Sequence, residues 1–105
     1  MAKETCIFCK IVRGEIAAEF VYKDEQMVVF HDLYPKAKHH FLVVPTVHVE
    51  TFLDLQDNHF PLLTNMIKVV QHLIKDKKLH GAYRIVINGG RHQEVPHLHL
   101  HLLGD

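Results

Sequence analysis

The chain has 105 residues, and 12 Lys and Arg balance 12 Asp and Glu, so its formal net charge is zero. That length predicts one domain over residues 1–105. The charge balance, with no basic block, argues against nucleic acid as a partner, and no apolar run approaches a membrane span. No leader segment reads at residues 1–5, so a cytoplasmic location without membrane attachment is expected. Histidine is the outlier in the composition, with 11 residues.

In chain order, residues 6–15 read as a short helix, because Ile7, Phe8, Ile11 and Val12 recur at helical spacing and Gly14 follows. Residues 19–23 and 27–31 read as strands joined by the Asp24-Glu25 turn. Residues 32–38 form a loop containing Pro35, which disfavours helix before it. Residues 41–44 read as a buried third strand stopped by Pro45, and residues 49–55 as a short helix or turn. The one long helix covers residues 59–80. Leu63, Met66, Ile67, Val70, Leu73 and Ile74 make its buried stripe, and Gly81 is the expected stop. Residues 83–88 and 97–103 complete a β-β-β-α-β-β order. This pattern predicts an α+β fold: a five-stranded antiparallel sheet with one long helix and a short N-terminal helix, the helices on one side.

The segment His97-Leu98-His99-Leu100-His101-Leu102-Leu103 carries the chemistry. Strict alternation has the period of a strand, so three imidazoles share one face and the leucines face the core. Imidazole serves as nucleophile, acid, base or metal ligand near neutral pH. One ion held by all three is disfavoured, because three same-face residues spread over about 13 Å at strand rise. Cys6 and Cys9 form a C-x-x-C pair, which suits half of a zinc site better than a redox pair, because no strand precedes Cys6.

The histidine segment resembles the signature of the histidine triad (HIT) superfamily, and the resemblance covers almost the entire chain. Ile7-Phe8-Cys9-Lys10-Ile11 is similar to its N-terminal helix, and Phe30-His31-Asp32-Leu33-Tyr34-Pro35-Lys36-Ala37 to its nucleoside-binding strand and loop. His40-Phe41-Leu42-Val43-Val44-Pro45 with His48, and the stretch from Tyr83-Arg84 to Asn88-Gly89, resemble the strands that frame the triad. The likeness is nearest to the bacterial-type Hint branch. It implies a HIT-like fold and hydrolysis of purine nucleoside 5′-phosphoramidates and aminoacyl adenylates through a nucleotidyl-histidine intermediate. His99 would be the nucleophile, with one ring nitrogen held by a backbone carbonyl. His101 would donate to a phosphoryl oxygen, with His97 the first triad member and His40 in support.

The resemblance also places the ribose on Asp32 and the base among Ile7, Phe8, Phe30 and Leu33. Phosphate contacts would come from Asn88 and Gly89 and from the Gln93, Glu94 and Val95 segment. A structural zinc on Cys6, Cys9, His48 and His97 is implied, with no cofactor needed for catalysis, and the expected partners are purine nucleotides and a second copy in a homodimer. Glu94 departs from the usual Ser or Thr and puts a carboxylate where phosphate is expected, and the loop from Gly89 to Pro96 is shorter than in that branch. Three rival readings remain: a dinucleoside polyphosphate hydrolase using the same His99, a non-catalytic nucleotide-binding regulatory module, and a zinc-binding interaction module for which nucleotide is irrelevant.

Overall fold

The structure, a computed structural model, describes residues 5–105; the leader reading at residues 1–4 lies outside them. Helix α1 (Ile7–Val12) leads into β1 (Phe20–Lys23), β2 (Met27–His31) and β3 (His39–Pro45). Helix α2 (Phe60–Asp76) is followed by β4 (Tyr83–Val86) and β5 (Leu100–Gly104). The five strands form one sheet in the order β1-β2-β3-β5-β4, and every neighbouring pair is antiparallel. The expected fold class is therefore the observed one. Among the described residues no helix is long and apolar enough to cross a membrane.

The helices do not share one side of the sheet, as the sequence reading had them. Met27, Val29, Phe41, Val43, Leu100 and Leu102 pack against Met66, Val70, Leu73 and Ile74 of α2. The alternate residues Val28, Phe30, Leu42 and Val44 pack against Phe8, Cys9 and Ile11 of α1 on the opposite face. The cause is visible in β2 and β3. Their apolar residues are consecutive rather than alternating, which is the mark of a strand covered on both faces.

Helix α2 starts at Phe60, with Pro61 in its first turn where a missing N–H is harmless. It ends at Asp76, not near residue 80. The expected stop at Gly81 is pre-empted by Lys78, which takes a left-handed conformation at φ 58°. Leu79 N–H then bonds back to the Ile74 carbonyl at 2.8 Å, closing the helix in a Schellman-type turn. Burial of Leu79 in the main core supplies the driving force. Gly104 on β5 fits the same feature, since a Cβ there would lie 2.8 Å from Leu79 Cδ1 and that buried side chain would have to shift.

Two boundaries in the histidine region also differ. The third strand extends through His39 and Pro45, and the last strand begins at Leu100 rather than His97. Val43 pairs with Leu100, and further along β3 stands Pro45, which has no N–H to offer a ladder. The groups around His97 are instead spent elsewhere. Leu98 N–H bonds the Val49 carbonyl at 2.6 Å, and the His97 carbonyl accepts from a side chain described below. Leu98, Leu100 and Leu102 are nonetheless all buried as expected.

Met66, fully buried against the sheet, separates core packing from helix propensity. Met66→Ala is expected to cost about 2–5 kcal/mol in urea unfolding. Ile67→Ala, on the half-exposed neighbour, is expected to cost under about 1 kcal/mol.

Candidate active site

The register of the sheet assembles the site. His101 on β5 pairs with Leu42 of β3 and Val86 of β4, and Leu103 pairs with His40 and Arg84. Paired residues share a face, so these side chains lie on the α1 side. The face carrying the histidines is not an open surface row. His97 and His99 are buried beneath Phe8, whose ring meets theirs edge-on at centroid distances of 5.8 and 5.0 Å.

Hydrogen bonds assign the imidazole tautomers. His99 Nδ1 lies 2.7 Å from the His97 carbonyl. A carbonyl only accepts, so Nδ1 carries the proton and Nε2 keeps its lone pair. His40 Nδ1 accepts from the Lys36 main-chain N–H at 3.1 Å, so His40 Nε2 carries a proton and donates it to His101 Nδ1 at 2.9 Å. His101 is thereby left with its own proton on Nε2. That nitrogen lies 3.4 Å from Asn88 Nδ2; both are donors in this tautomer, so they bond only with the Asn88 amide turned to present its oxygen. The His99 and His101 rings are 4.9 Å apart. A lone pair and an N–H donor thus sit side by side.

Burial keeps these rings neutral. It lowers the pKa of His99 and of His40 below the ordinary imidazole value. It brings His101 to about 4, helped by the nearby His99 and His40. Asp32 lies behind this pair, with Oδ2 3.5 Å from His40 Nε2 and Oδ1 accepting the Tyr34 N–H at 2.8 Å. Asp32 therefore both caps its own loop and keeps one oxygen directed at the site. Asp32, His40 and His101 present donor atoms within 4.8 Å of one another. They read as a hydrogen-bond relay rather than a metal site, because the Lys36 N–H fixes the proton on the inward nitrogen of His40.

A second cluster, of Cys6, Cys9, His48 and His97, brings four ligand atoms within 4.8 Å of one another. Cys6 Sγ lies 3.3 Å from His97 Nδ1 and Cys9 Sγ 3.2 Å from His48 Nδ1, while the two Nδ1 atoms are 3.1 Å apart. His97 Nε2 donates to the Pro45 carbonyl at 2.8 Å, which turns the Nδ1 lone pair toward the sulfurs. The separations are close to the edges of a zinc tetrahedron, about 3.3–3.8 Å from its bond lengths. The Glu50 carboxylate stands 3.9 Å from His48 Nε2, outside hydrogen-bond reach. Two soft and two borderline donors, with His97 oriented from behind by the Pro45 carbonyl, fit that metal. Burial raises the Cys6 thiol pKa and holds His97 at about 4.

The remaining sequence candidates divide. Phe8 and Phe30 are buried and meet edge-on at 5.8 Å, whereas Ile7 and Leu33 are exposed, Leu33 by 87%. A cavity of about 420 Å³ contains Asp32, His40, His101, Asn88 and Glu94 among its lining residues. Gly89 precedes the short 3-10 turn Gly90–His92. The Gln93 amide donates to the main-chain carbonyls of Glu50 and Val95, so it braces the loop rather than facing the cavity. Val95 packs against the α1 cluster. Tyr34, Lys36 and Arg84 also line the cavity and were not singled out from sequence. Arg84 was legible only through the pairing of β4 with β5.

A family model described as "Scavenger mRNA decapping enzyme C-term binding" matches residues 5–105. A HIT family hydrolase from Legionella pneumophila superimposes with a TM-score of 0.92 at 40% identity, covering 95% of this chain and 92% of that one. The chain belongs to the histidine triad (HIT) superfamily. A HIT-fold histidine triad protein from Clostridium difficile has a TM-score of 0.94 at 37% identity, over 100% of this chain and 94% of that one. The HIT relatives include Protein HitA of Neisseria gonorrhoeae, 41% identical over 96% of both chains. They also include the purine nucleoside phosphoramidase of Escherichia coli K12, 39% identical over 99% of this chain and 89% of that one. A bacterial Hint-like branch of the HIT superfamily is consistent with these matches.

The neutral HIT-site imidazoles have a consequence for stability. His101 remains unprotonated down to about pH 4 in the folded state, whereas the unfolded chain takes up that proton near 6.5. Between those values the unfolded state binds more protons, so stability is present above about pH 6.5 and falls as pH drops toward 4. The melting temperature should decline across that window, and His101→Asn should flatten the decline in a pH series of thermal melts.

Proposed function

We propose that this chain is a nucleotide hydrolase that cleaves purine nucleoside 5′-phosphoramidates and aminoacyl adenylates through a nucleotidyl-His99 intermediate. The observation that carries the reading is the 2.7 Å bond from His99 Nδ1 to the His97 carbonyl, with a neutral His101 N–H beside the free Nε2. The name of the E. coli relative, a purine nucleoside phosphoramidase, supports the same chemistry.

In this reading His99 Nε2 attacks the α-phosphorus of a phosphoramidate. A phosphorus–histidine bond forms, the bond to the amine breaks, and the amine departs with a proton from solvent. His101 donates to a nonbridging oxygen and stabilises charge developing in the transition state. The Lys36-to-His40-to-His101 chain holds that donor in one tautomer. Water then cleaves the phosphorus–histidine bond and regenerates free His99. Asp32 Oδ2, which also faces His40 Nε2 at 3.5 Å, accepts from the ribose hydroxyls. Phe8, Phe30 and the exposed Ile7 and Leu33 receive the base, with Asn88 and Gly89 near the phosphate. Glu94 lines the same cavity and its charge reaches His99, so in this reading its carboxylate opposes phosphate binding rather than aiding it.

Cys6, Cys9, His48 and His97 would hold zinc in this proposal. The ion would supply a structural cross-link between α1 and the approach to β5, with no part in bond cleavage. The β4 edge, with half-exposed Tyr83 and Ile85, offers an unpaired surface to a second copy, and a homodimer is the form proposed. A cytoplasmic location completes the reading.

His99→Ala should abolish turnover of an adenosine 5′-phosphoramidate while leaving AMP affinity within about tenfold, since uniform binding is separate from chemistry. Single-turnover kinetics and calorimetry read the two quantities, and retained turnover would exclude His99 as the nucleophile. Elemental analysis should find close to one zinc per chain. Cys9→Ser should lower that content together with the melting temperature, because metal binding and folding are linked.

A further inference from the structure

The proposed chemistry leaves two cations of the cavity unused, although the Asp32 and Glu94 carboxylates line the same space. Lys36 and Arg84 both line it with His40 and His101. Arg84 pairs with Leu103 and Val86 pairs with His101. Arg84 therefore lies on the same face, one cross-strand row beyond His101 and away from His99. Lys36 reaches the same end from the loop before β3, anchored by the bond from its main-chain N–H to His40. Its charge is close enough to lower the pKa values of both His40 and His101. Neither the Lys36 ammonium nor the Arg84 guanidinium has an ion-pair partner among the described residues. The base-side aromatics Phe8 and Phe30 pack instead over β2 and β3 with α1.

A nucleotide whose base lies against α1 and whose phosphorus meets His99 would direct its leaving group past His101 toward this end. In-line displacement expels the leaving group on the side away from the nucleophile. We propose that Arg84 and Lys36 form an anion subsite for the leaving group, so that conjugates whose departing part carries a phosphate are the favoured substrates. The inference rests on the hydrolase reading for its substrate orientation. Two cations suit a phosphate dianion better than a carboxylate, and the planar guanidinium can bond two phosphate oxygens at once. The subsite changes neither the bond that forms nor the bond that breaks. The phosphate-bearing amine leaves with a proton from solvent, and its negative charge is held by the two side chains as it separates.

The test compares adenosine 5′-phosphoramidates of O-phosphoethanolamine, glycine and propylamine in the full chain and in Arg84→Gln and Lys36→Gln. The readout is the ratio of kcat/KM values between substrates, so a general loss from folding cancels. The phosphate-bearing conjugate should exceed the propylamine conjugate by about a hundredfold, and each variant should cut that ratio by about tenfold, the usual effect of one charge-assisted contact. Calorimetric binding of ADP and AMP gives a second readout, since the β-phosphate of ADP would extend toward the same subsite. Arg84→Gln should weaken ADP about tenfold more than AMP. Ratios unchanged in both variants, with equal losses for ADP and AMP, overturn the proposal. An Arg84-dependent preference for the glycine conjugate overturns the assignment to phosphate. If no conjugate is cleaved but Arg84 still discriminates ADP from AMP, the anion subsite stands and the hydrolase reading falls.

Discussion

The site depends on what is bonded to His97. Its ring nitrogen Nε2 donates to the Pro45 carbonyl at 2.8 Å, its Nδ1 faces two cysteines and His48, and its own carbonyl holds His99 Nδ1 at 2.7 Å. The residue is completely buried, so none of these groups can turn to water instead. An unmade bond at such a place costs the full desolvation of a polar group. The network therefore holds as a unit, and the tautomer of His99 follows from the backbone position of its neighbour.

The same constraint explains why the last strand is short. The His97 N–H and carbonyl and the Leu98 N–H are committed to side-chain and loop partners, so the ladder with β3 starts only at Leu100. Regular pairing through His97 would take its carbonyl away from His99. The interruption is thus part of how the site is built. Farther along, the strand resumes regular pairing, and there the register sets His101 beside His40 and brings Arg84 to the same end.

The two helices divide the remaining work. Helix α2 covers one face and builds the larger apolar core, ending where Leu79 turns inward. Helix α1 is only six residues long, too short to be stable on its own, yet it brings Phe8 and Cys9 over the histidine face. Cys6 caps it, with its sulfur accepting the Cys9 N–H at 3.3 Å. The cap residue and the proposed metal ligand are the same side chain. Attachment of α1 to the sheet and the shape of the histidine pocket are therefore one packing problem.

Much of this was legible in the sequence, because periodicity records burial directly. The alternation of residues 97–103 placed three leucines in the core, and the 3.6-residue stripe of residues 63–74 located α2, although Ile67 of that stripe is half-exposed and Leu62 and Val69 pack against the core instead. The C-x-x-C spacing with His48 and His97 named a donor set that the fold does bring together. The consecutive apolar residues of β2 and β3 carried the evidence for two covered faces, although the sequence reading put both helices on one side. Tertiary structure alone decided the rest. Lys78, not Gly81, ends α2, because burying Leu79 outweighs the strain of a left-handed lysine. The tautomers of His40, His99 and His101 depend on main-chain partners that no pattern of side chains specifies. Arg84 and Lys36 lie far apart in sequence, and only strand register and a loop bond bring them to one cavity. Sequence by itself determined which residues are apolar and with what period, and hence the elements and their buried faces. The directions of hydrogen bonds and the meeting of distant charges were decided only by the packed chain, because they depend on geometry between segments rather than within them.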